Sequence, residues 1–93
     1  MNTAHADEKD RYNAAIAATL RAEKAELRAT FPSLEAATGI KLRKLKALLN
    51  DEVSIRMGDF IRLTTALDLD PAVVITEAAA RVNVESRQLA VRA

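Results

Sequence analysis

The stretch from Ser33 to Asn50 constrains the fold more than any other part of this sequence. The chain's first glycine, Gly39, lies there between two short segments rich in helix-forming residues. Glycine adopts the left-handed backbone conformation that closes a helix and lets the chain turn within a few residues. Two helices joined by so short a turn form a helix-turn-helix, which we expect from residues 30–38 and 41–50.

The second of these segments has two chemically different faces. At about 100° per residue, one side collects the leucines with the spacing of a buried stripe: Leu42, Leu45, Leu48 and Leu49. The other side collects Arg43, Lys46, Ala47 and Asn50, with Lys44 on the flank. Residues 36–50 contain four basic residues and no acidic one, and a helix of this kind fits the DNA major groove. Charged helix faces that only contact solvent are also common.

Composition favours an all-α protein without catalytic or metal chemistry. The 93 residues suffice for one small domain, and helix formers dominate because only two Gly and two Pro interrupt them. There is no cysteine, which excludes disulfides and thiolate zinc sites, and the single histidine, His5, has no partner of its kind. No nucleophile–base pair or glycine-rich phosphate loop is visible. We therefore expect no catalytic residue, no cofactor and no metal.

Charge and hydropathy indicate a soluble, cytoplasmic protein that does not contact a membrane. No apolar run reaches the ~20 residues that span a bilayer, and the acidic segment 7–10 is unlike a signal peptide. The net charge is +1, although residues 36–50 alone carry four positive charges. Such an asymmetry can orient a protein over a polyanion.

Capping residues divide the chain into five expected helices. We expect a mobile leader over residues 1–6, a domain over 7–82 and a C-terminal extension over 83–93. The expected helices are Asp7 to about Ala29, Thr30 (as N-cap) to Thr38, Lys41 to Asn50, Arg56 or Met57 to Leu67, and Pro71 (after the cap Asp70) to about Val82. Residues 83–93 could extend the last helix, form a strand or remain disordered.

The apolar residues of the outer helices predict a core and leave one question open. The expected core positions are Ile16, Leu20 and Leu27 on the first helix and Phe60, Ile61, Leu63 and Leu67 on the fourth. The fifth helix carries Val73, Val74, Ile75, Ala78, Ala79 and Val82, more apolar surface than a terminal helix needs. A homodimer contact that includes the extension, and packing against the first helix, explain this excess equally well.

These residues resemble the helix-turn-helix domains of the Cro and phage-repressor (xenobiotic-response-element) type. The resemblance extends from about Ala14 to Ile75 and rests on the run 20–24, Leu34, Gly39, Ile40, Leu45, Leu48 and the run 66–71. It implies a five-helix lambda-repressor-like domain from a bacterium or phage-infected host cell. At two positions the chain departs from the family pattern: Phe31 stands where a phosphate-binding Gln is common, and Glu35 replaces a small buried residue.

The resemblance also implies the residues that contact DNA. Carried over position by position, it assigns base reading to Arg43, Ala47, Leu42 and Lys44. Phosphate binding falls to Lys41, Lys46, Asn50, Thr30, Ser33 and Arg56. Arg43 has the fork that pairs with guanine O6 and N7. For Leu42 the helix geometry favours the core over a contact with DNA. Asp51 and Glu52 would repel DNA unless their carboxylates point away.

We therefore expect a transcription regulator that inserts its third helix into operator DNA and blocks transcription. Its partner would be double-stranded DNA, and no small-molecule ligand is expected. Two alternative hypotheses use the same fold. One is an antitoxin or adaptor that binds another protein, and the other is a recombination-directionality or architectural factor that bends DNA.

Overall fold

A computed structural model describes the backbone of residues 3–92 and, within that range, the side chains of residues 11–85, 87 and 88. This part of the chain forms five α-helices and no strand, which confirms the all-α prediction. The helices are α1 (Thr3–Glu26), α2 (Phe31–Thr38), α3 (Leu42–Leu49), α4 (Met57–Ala66) and α5 (Pro71–Arg92).

The largest differences from the predicted helix limits occur in the two terminal helices. α1 begins at Thr3, ahead of the predicted start at Asp7, so residues 3–6 are helical; residues 1 and 2 lie outside the described range. α5 continues past Val82 to Arg92, so the extension belongs to this helix as far as residue 92. Residues 83–92 contain neither Gly nor Pro, and their Glu, Arg, Gln, Leu and Ala favour helix continuation.

Two predicted N-caps are confirmed by their hydrogen bonds. Thr30 Oγ1 accepts a hydrogen bond from Ser33 N, and Ser33 Oγ accepts one from Thr30 N, both at 3.2 Å, which makes a reciprocal capping box. Asp70 Oδ1 accepts a hydrogen bond from Ala72 N at 2.8 Å. Pro71 then occupies the first position of α5, where no N–H is needed.

Residues other than glycine close three of the helices. Arg28, Asp51 and Asp68 adopt the left-handed conformation, with φ of 55°, 59° and 56°. After each of them, backbone N–H groups donate back to the last turn of the preceding helix. Gly39, with φ of 75°, closes only α2. Glycine in the sequence therefore predicts the end of α2 but not the ends of α1, α3 and α4.

One aliphatic core connects all five helices. Its buried members are Leu20, Leu34, Ile40, Leu45, Leu48, Leu49, Phe60, Leu63, Leu67 and Val74. The core predictions for Leu27 and Ile61 are wrong, since these residues are 51% and 42% exposed. Leu27 lies in the turn that follows α1, and Ile61 lies on the outer side of α4 next to the buried Phe60.

α5 packs against α1 and the main core. This packing buries three of the six apolar residues that the sequence analysis noted on this helix. Ala78 and Val82 form a second buried cluster with Ala15 of α1, and Val74 joins the main core. These three α5 residues follow one another at intervals of four, as expected for one helix face. Val73 and Ile75 lie on other faces and remain exposed.

Asn13 of α1 holds the loop between α3 and α4. Its side-chain amide donates a hydrogen bond to the Asp51 carboxylate, and its Oδ1 accepts one from Ile55 N at 2.9 Å. We expect Asn13→Ala to lower the free energy of unfolding by roughly 1–3 kcal/mol, because the half-buried Ile55 N–H loses its acceptor. Urea denaturation followed by circular dichroism measures this change.

Asn83, which is exposed on α5, provides a matched control for this measurement. We expect Asn83→Ala to change the free energy of unfolding by no more than about 0.5 kcal/mol. Equal denaturation midpoints for the two variants would contradict the role assigned to Asn13.

Candidate nucleic-acid interface

The turn between α2 and α3 consists of residues 39–41 and is fixed by hydrogen bonds and by burial. Thr38 Oγ1 donates a hydrogen bond to Leu34 O at 2.6 Å and accepts one from Ile40 N at 3.1 Å. Gly39 takes the left-handed conformation, and its N–H donates back into α2. The buried side chain of Ile40 then anchors the turn in the core.

Side chains from two other helices hold α3 at both of its ends. Glu35 Oε2, from α2, accepts a hydrogen bond from Leu42 N at the start of α3 at 2.7 Å. Arg21, from α1, donates through Nη1 to Leu49 O at the end of α3. Negative charge at the first turn and positive charge at the last turn both suit the helix dipole. Together with its buried leucines, these bonds fix the orientation of α3.

The structure places most of the predicted contact residues on the surface. Those that are exposed are Thr30, Ser33, Lys41, Arg43, Lys44, Lys46, Asn50 and Arg56. Ala47 is half-buried, as is Leu42, which lies outside the core cluster. Arg43 lies on the side of α3 opposite to its buried leucines, and Lys46 lies on the flank near Phe31 of α2.

Lys44 differs from the other basic residues of α3, because its charge is directed at α4. Its Nζ lies 3.1 Å from Oδ2 of Asp59, whose Oδ1 lies 3.2 Å from Nη1 of Arg62. The Asp59 side chain is only 8% exposed, whereas that of Lys44 is 54% exposed. The base-reading role predicted for Lys44 would require it to leave this carboxylate.

The two acidic residues that follow α3 differ in their contacts. The Asp51 carboxylate accepts a hydrogen bond from Asn13, so it is directed toward α1. Glu52 is exposed beyond the end of α3. The Glu35 carboxylate is held at the first turn of α3 by Leu42 N.

Two lysines from different helices approach the ring of Phe31, the first residue of α2. Lys24 Nζ, from α1, lies 4.3 Å from the ring centroid, and Lys46 Nζ, from α3, lies 5.7 Å from it. Both distances are within the ~6 Å range of cation–π attraction. Phe31 is half-buried and packs against the core.

Lys24 was not among the residues predicted to contact DNA. Lys24 lies in the last turn of α1, and nothing in the sequence indicates that it comes close to Lys46. The two lysines are brought together by the fold, which places both near the ring of Phe31. Within the described side chains, no carboxylate lies within 4 Å of either ammonium nitrogen. Their charge is therefore available to an anionic partner.

The chain matches no protein-family model, no curated protein and no solved structure. Among the residues that the structure describes, no cluster of His, Asp or Glu side chains could hold a metal ion. Likewise, no helix within residues 3–92 combines the length and apolarity needed to cross a bilayer.

Proposed function

We propose that this protein is a sequence-specific DNA-binding transcription regulator of the Cro-like or repressor-like kind. In this proposal α2 and α3 form a helix-turn-helix, and α3 enters the major groove of operator DNA and blocks transcription. One observation supports it most strongly: α3 exposes Arg43 and Lys46 on one side while buried leucines, Glu35 and Arg21 hold its other side and its ends. A rigidly held helix can present its exposed side chains to base edges without a loss of backbone freedom on binding.

The residues on the outer side of α3 and at its two ends have separate roles in this proposal. Arg43 pairs through its guanidinium fork with a guanine, since this is the pairing that the fork allows. The small side chain of Ala47 lets the helix backbone approach the bases. Lys41, Lys46 and Asn50 bind phosphates, which position the helix without reading sequence.

The first turn of α2 would add a phosphate contact next to Lys24. Ser33 Oγ donates its proton to Thr30 O at 2.9 Å, so its hydroxyl is already used within the turn. The Thr30 hydroxyl accepts a hydrogen bond from Ser33 N and retains its own proton for donation. We therefore include Thr30 and Lys24 in the contact set, and give Ser33 a capping role.

A second copy of the chain completes the repressor proposal. Two copies of α3 would contact half-sites about one helical turn, ~34 Å, apart on the DNA. The exposed Val73 and Ile75 of α5 are candidates for the contact between the copies.

We expect the affinity of the chain for duplex DNA to fall steeply with salt. If each protomer neutralises about four phosphates, the logarithm of the association constant should fall with the logarithm of salt concentration with a slope of about −3.6 per protomer. Fluorescence anisotropy of a labelled duplex, titrated at several salt concentrations, measures this slope. An affinity that does not change with salt would contradict the proposal.

Substitution of Lys24 tests the enlarged contact set. We expect Lys24→Gln to reduce the magnitude of the salt slope by about 0.9, because one phosphate contact is lost. Arg87→Gln is the matched control, since Arg87 is exposed on α5 and lies outside the contact set. If both variants keep the wild-type slope, Lys24 does not bind phosphate.

An adaptor or antitoxin that binds another protein is the second candidate. It is favoured by a small apolar notch of about 70 Å³ lined by Ile16, Ile55, Met57, Phe60 and Ile75, at which Met57 is 66% exposed. Charge reversal of Lys41 and Lys46 separates the candidates. It should abolish retention of duplex DNA if α3 binds DNA, and it should leave binding of a protein partner at the notch intact.

A further inference from the structure

The buried Asp59 joins two basic residues that belong to different helices. Its two carboxylate oxygens are shared between Lys44 of α3 and Arg62 of α4, at 3.1 and 3.2 Å. Asp59 lies in the first turn of α4, where negative charge suits the helix dipole. Both cations are more than half exposed, although the carboxylate is not.

The same groups border the proposed DNA-binding surface. Lys41, Lys44, Asp59 and Arg62 line one open groove beside the turn between α2 and α3. Of the cations in this groove, Lys44 and Arg62 are paired with the carboxylate, and Lys41 has no carboxylate within 4 Å among the described side chains. The single negative charge of Asp59 is therefore shared by two cations, and it lowers the net positive charge of a surface that would otherwise attract phosphates more strongly.

We propose that Asp59 is a positioning residue that limits the affinity of this protein for DNA of any sequence. It does so by holding the charges of Lys44 and Arg62 on α4, where they are partly neutralised. This inference rests on the proposed DNA-binding function. The ligand concerned is the phosphate backbone of duplex DNA. Contacts to phosphates carry no sequence information, so weakening them lowers the affinity for all sequences and leaves a larger share of binding to the bases.

The opposite role, in which the Lys44–Asp59 pair orients α3 for binding, is less consistent with the contacts. α3 is already oriented by three fully buried leucines and by the bonds that Glu35 and Arg21 make to its ends. Loss of the pair through Asp59→Asn also leaves no buried charge without a partner, because the remaining Lys44 side chain is 54% exposed. Removing the Asp59 charge therefore releases two cations without loosening α3.

The experiment compares Asp59→Asn with wild type on a random-sequence duplex. We expect the affinity of Asp59→Asn to increase about 3- to 10-fold at ~0.1 M salt, and the salt slope to steepen by up to about 0.9 for each released cation. The double variant Asp59→Asn/Lys44→Gln should bind the same duplex more weakly than Asp59→Asn, because the cation of Lys44 that Asp59→Asn releases is then absent.

Asp68→Asn is the matched control, because it changes the net charge equally and lies in an exposed turn. Asparagine is also among the residues that adopt the left-handed conformation of Asp68. We expect this variant to keep the wild-type slope. A gain as large as that of Asp59→Asn would show an effect of net charge alone and would overturn the inference.

Two further outcomes keep the test decisive. If Asp59→Asn does not fold, as judged by circular dichroism, Arg62→Gln in the native background replaces it and is compared with Lys41→Gln. A smaller loss of DNA affinity than Lys41→Gln causes supports the inference, and an equal or larger loss overturns it. Wild-type protein that fails to retain duplex DNA at low salt would overturn the proposed function itself. Wild-type binding with an unchanged or weaker Asp59→Asn interaction would overturn only the role of Asp59.

Discussion

Leu45→Ala is expected to lower the free energy of unfolding by about 2–5 kcal/mol. Leu45 is 0% exposed and lies at the centre of the buried face of α3, within the main core cluster. Its truncation leaves a cavity whose lining cannot fully collapse, because the surrounding leucines belong to several helices. Since small domains are stable by only about 5–15 kcal/mol, this single change removes a large part of the total.

Arg43→Ala provides the comparison, because Arg43 lies on the opposite face of the same helix. We expect it to change the free energy of unfolding by no more than about 0.5 kcal/mol. Urea denaturation of both variants distinguishes the two faces of α3. Similar destabilisation by the two substitutions would mean that the outer face of α3 is packed, which contradicts the structure.

Arg43→Ala is also expected to cause the largest loss of sequence discrimination. A bidentate contact to guanine distinguishes bases by about 1–3 kcal/mol, which corresponds to roughly a 5- to 150-fold loss in preference for the cognate site. We expect Arg43→Lys to restore little of this preference, because the ammonium group lacks the planar fork. The measurement is the ratio of affinities for the cognate and a scrambled duplex.

Lys46→Gln is the control for this measurement, since we assign Lys46 to phosphate. It should weaken binding to both duplexes by a similar factor and leave their ratio unchanged. An Arg43→Ala variant that behaves in the same way would remove Arg43 from base reading.

Local sequence patterns were sufficient to predict the helices and the face of α3 that is buried. The leucine spacing in residues 42–49 predicted the inner face, and the polar residues Thr30 and Asp70 predicted two helix starts, because these signals act within a few residues. The ends of α1, α3 and α4 were harder, since Arg28, Asp51 and Asp68 close them without glycine. The end of α5 was left open by the sequence, because residues 83–92 contain neither Gly nor Pro to end the helix and no strong hydrophobic pattern to extend it.

The details of the candidate site depend on contacts between distant parts of the chain. Lys44 and Asp59 are fifteen positions apart in the sequence, and nothing in either segment indicates that α3 and α4 bring them together. The same holds for Lys24 and Phe31, which meet across the turn between α1 and α2. Glu35 departs from the pattern of the family that the chain resembles, and the structure gives it a physical role as the N-terminal cap of α3.

Selection of bound duplexes from a random library, with the full chain as bait, tests DNA reading by α3 most directly. We predict an enriched motif that contains a guanine whose preference disappears when the selection is repeated with Arg43→Ala. A palindromic motif with half-sites ~34 Å apart would also report the dimer. Recovery of no motif, or of a motif that Arg43→Ala leaves unchanged, would contradict this account.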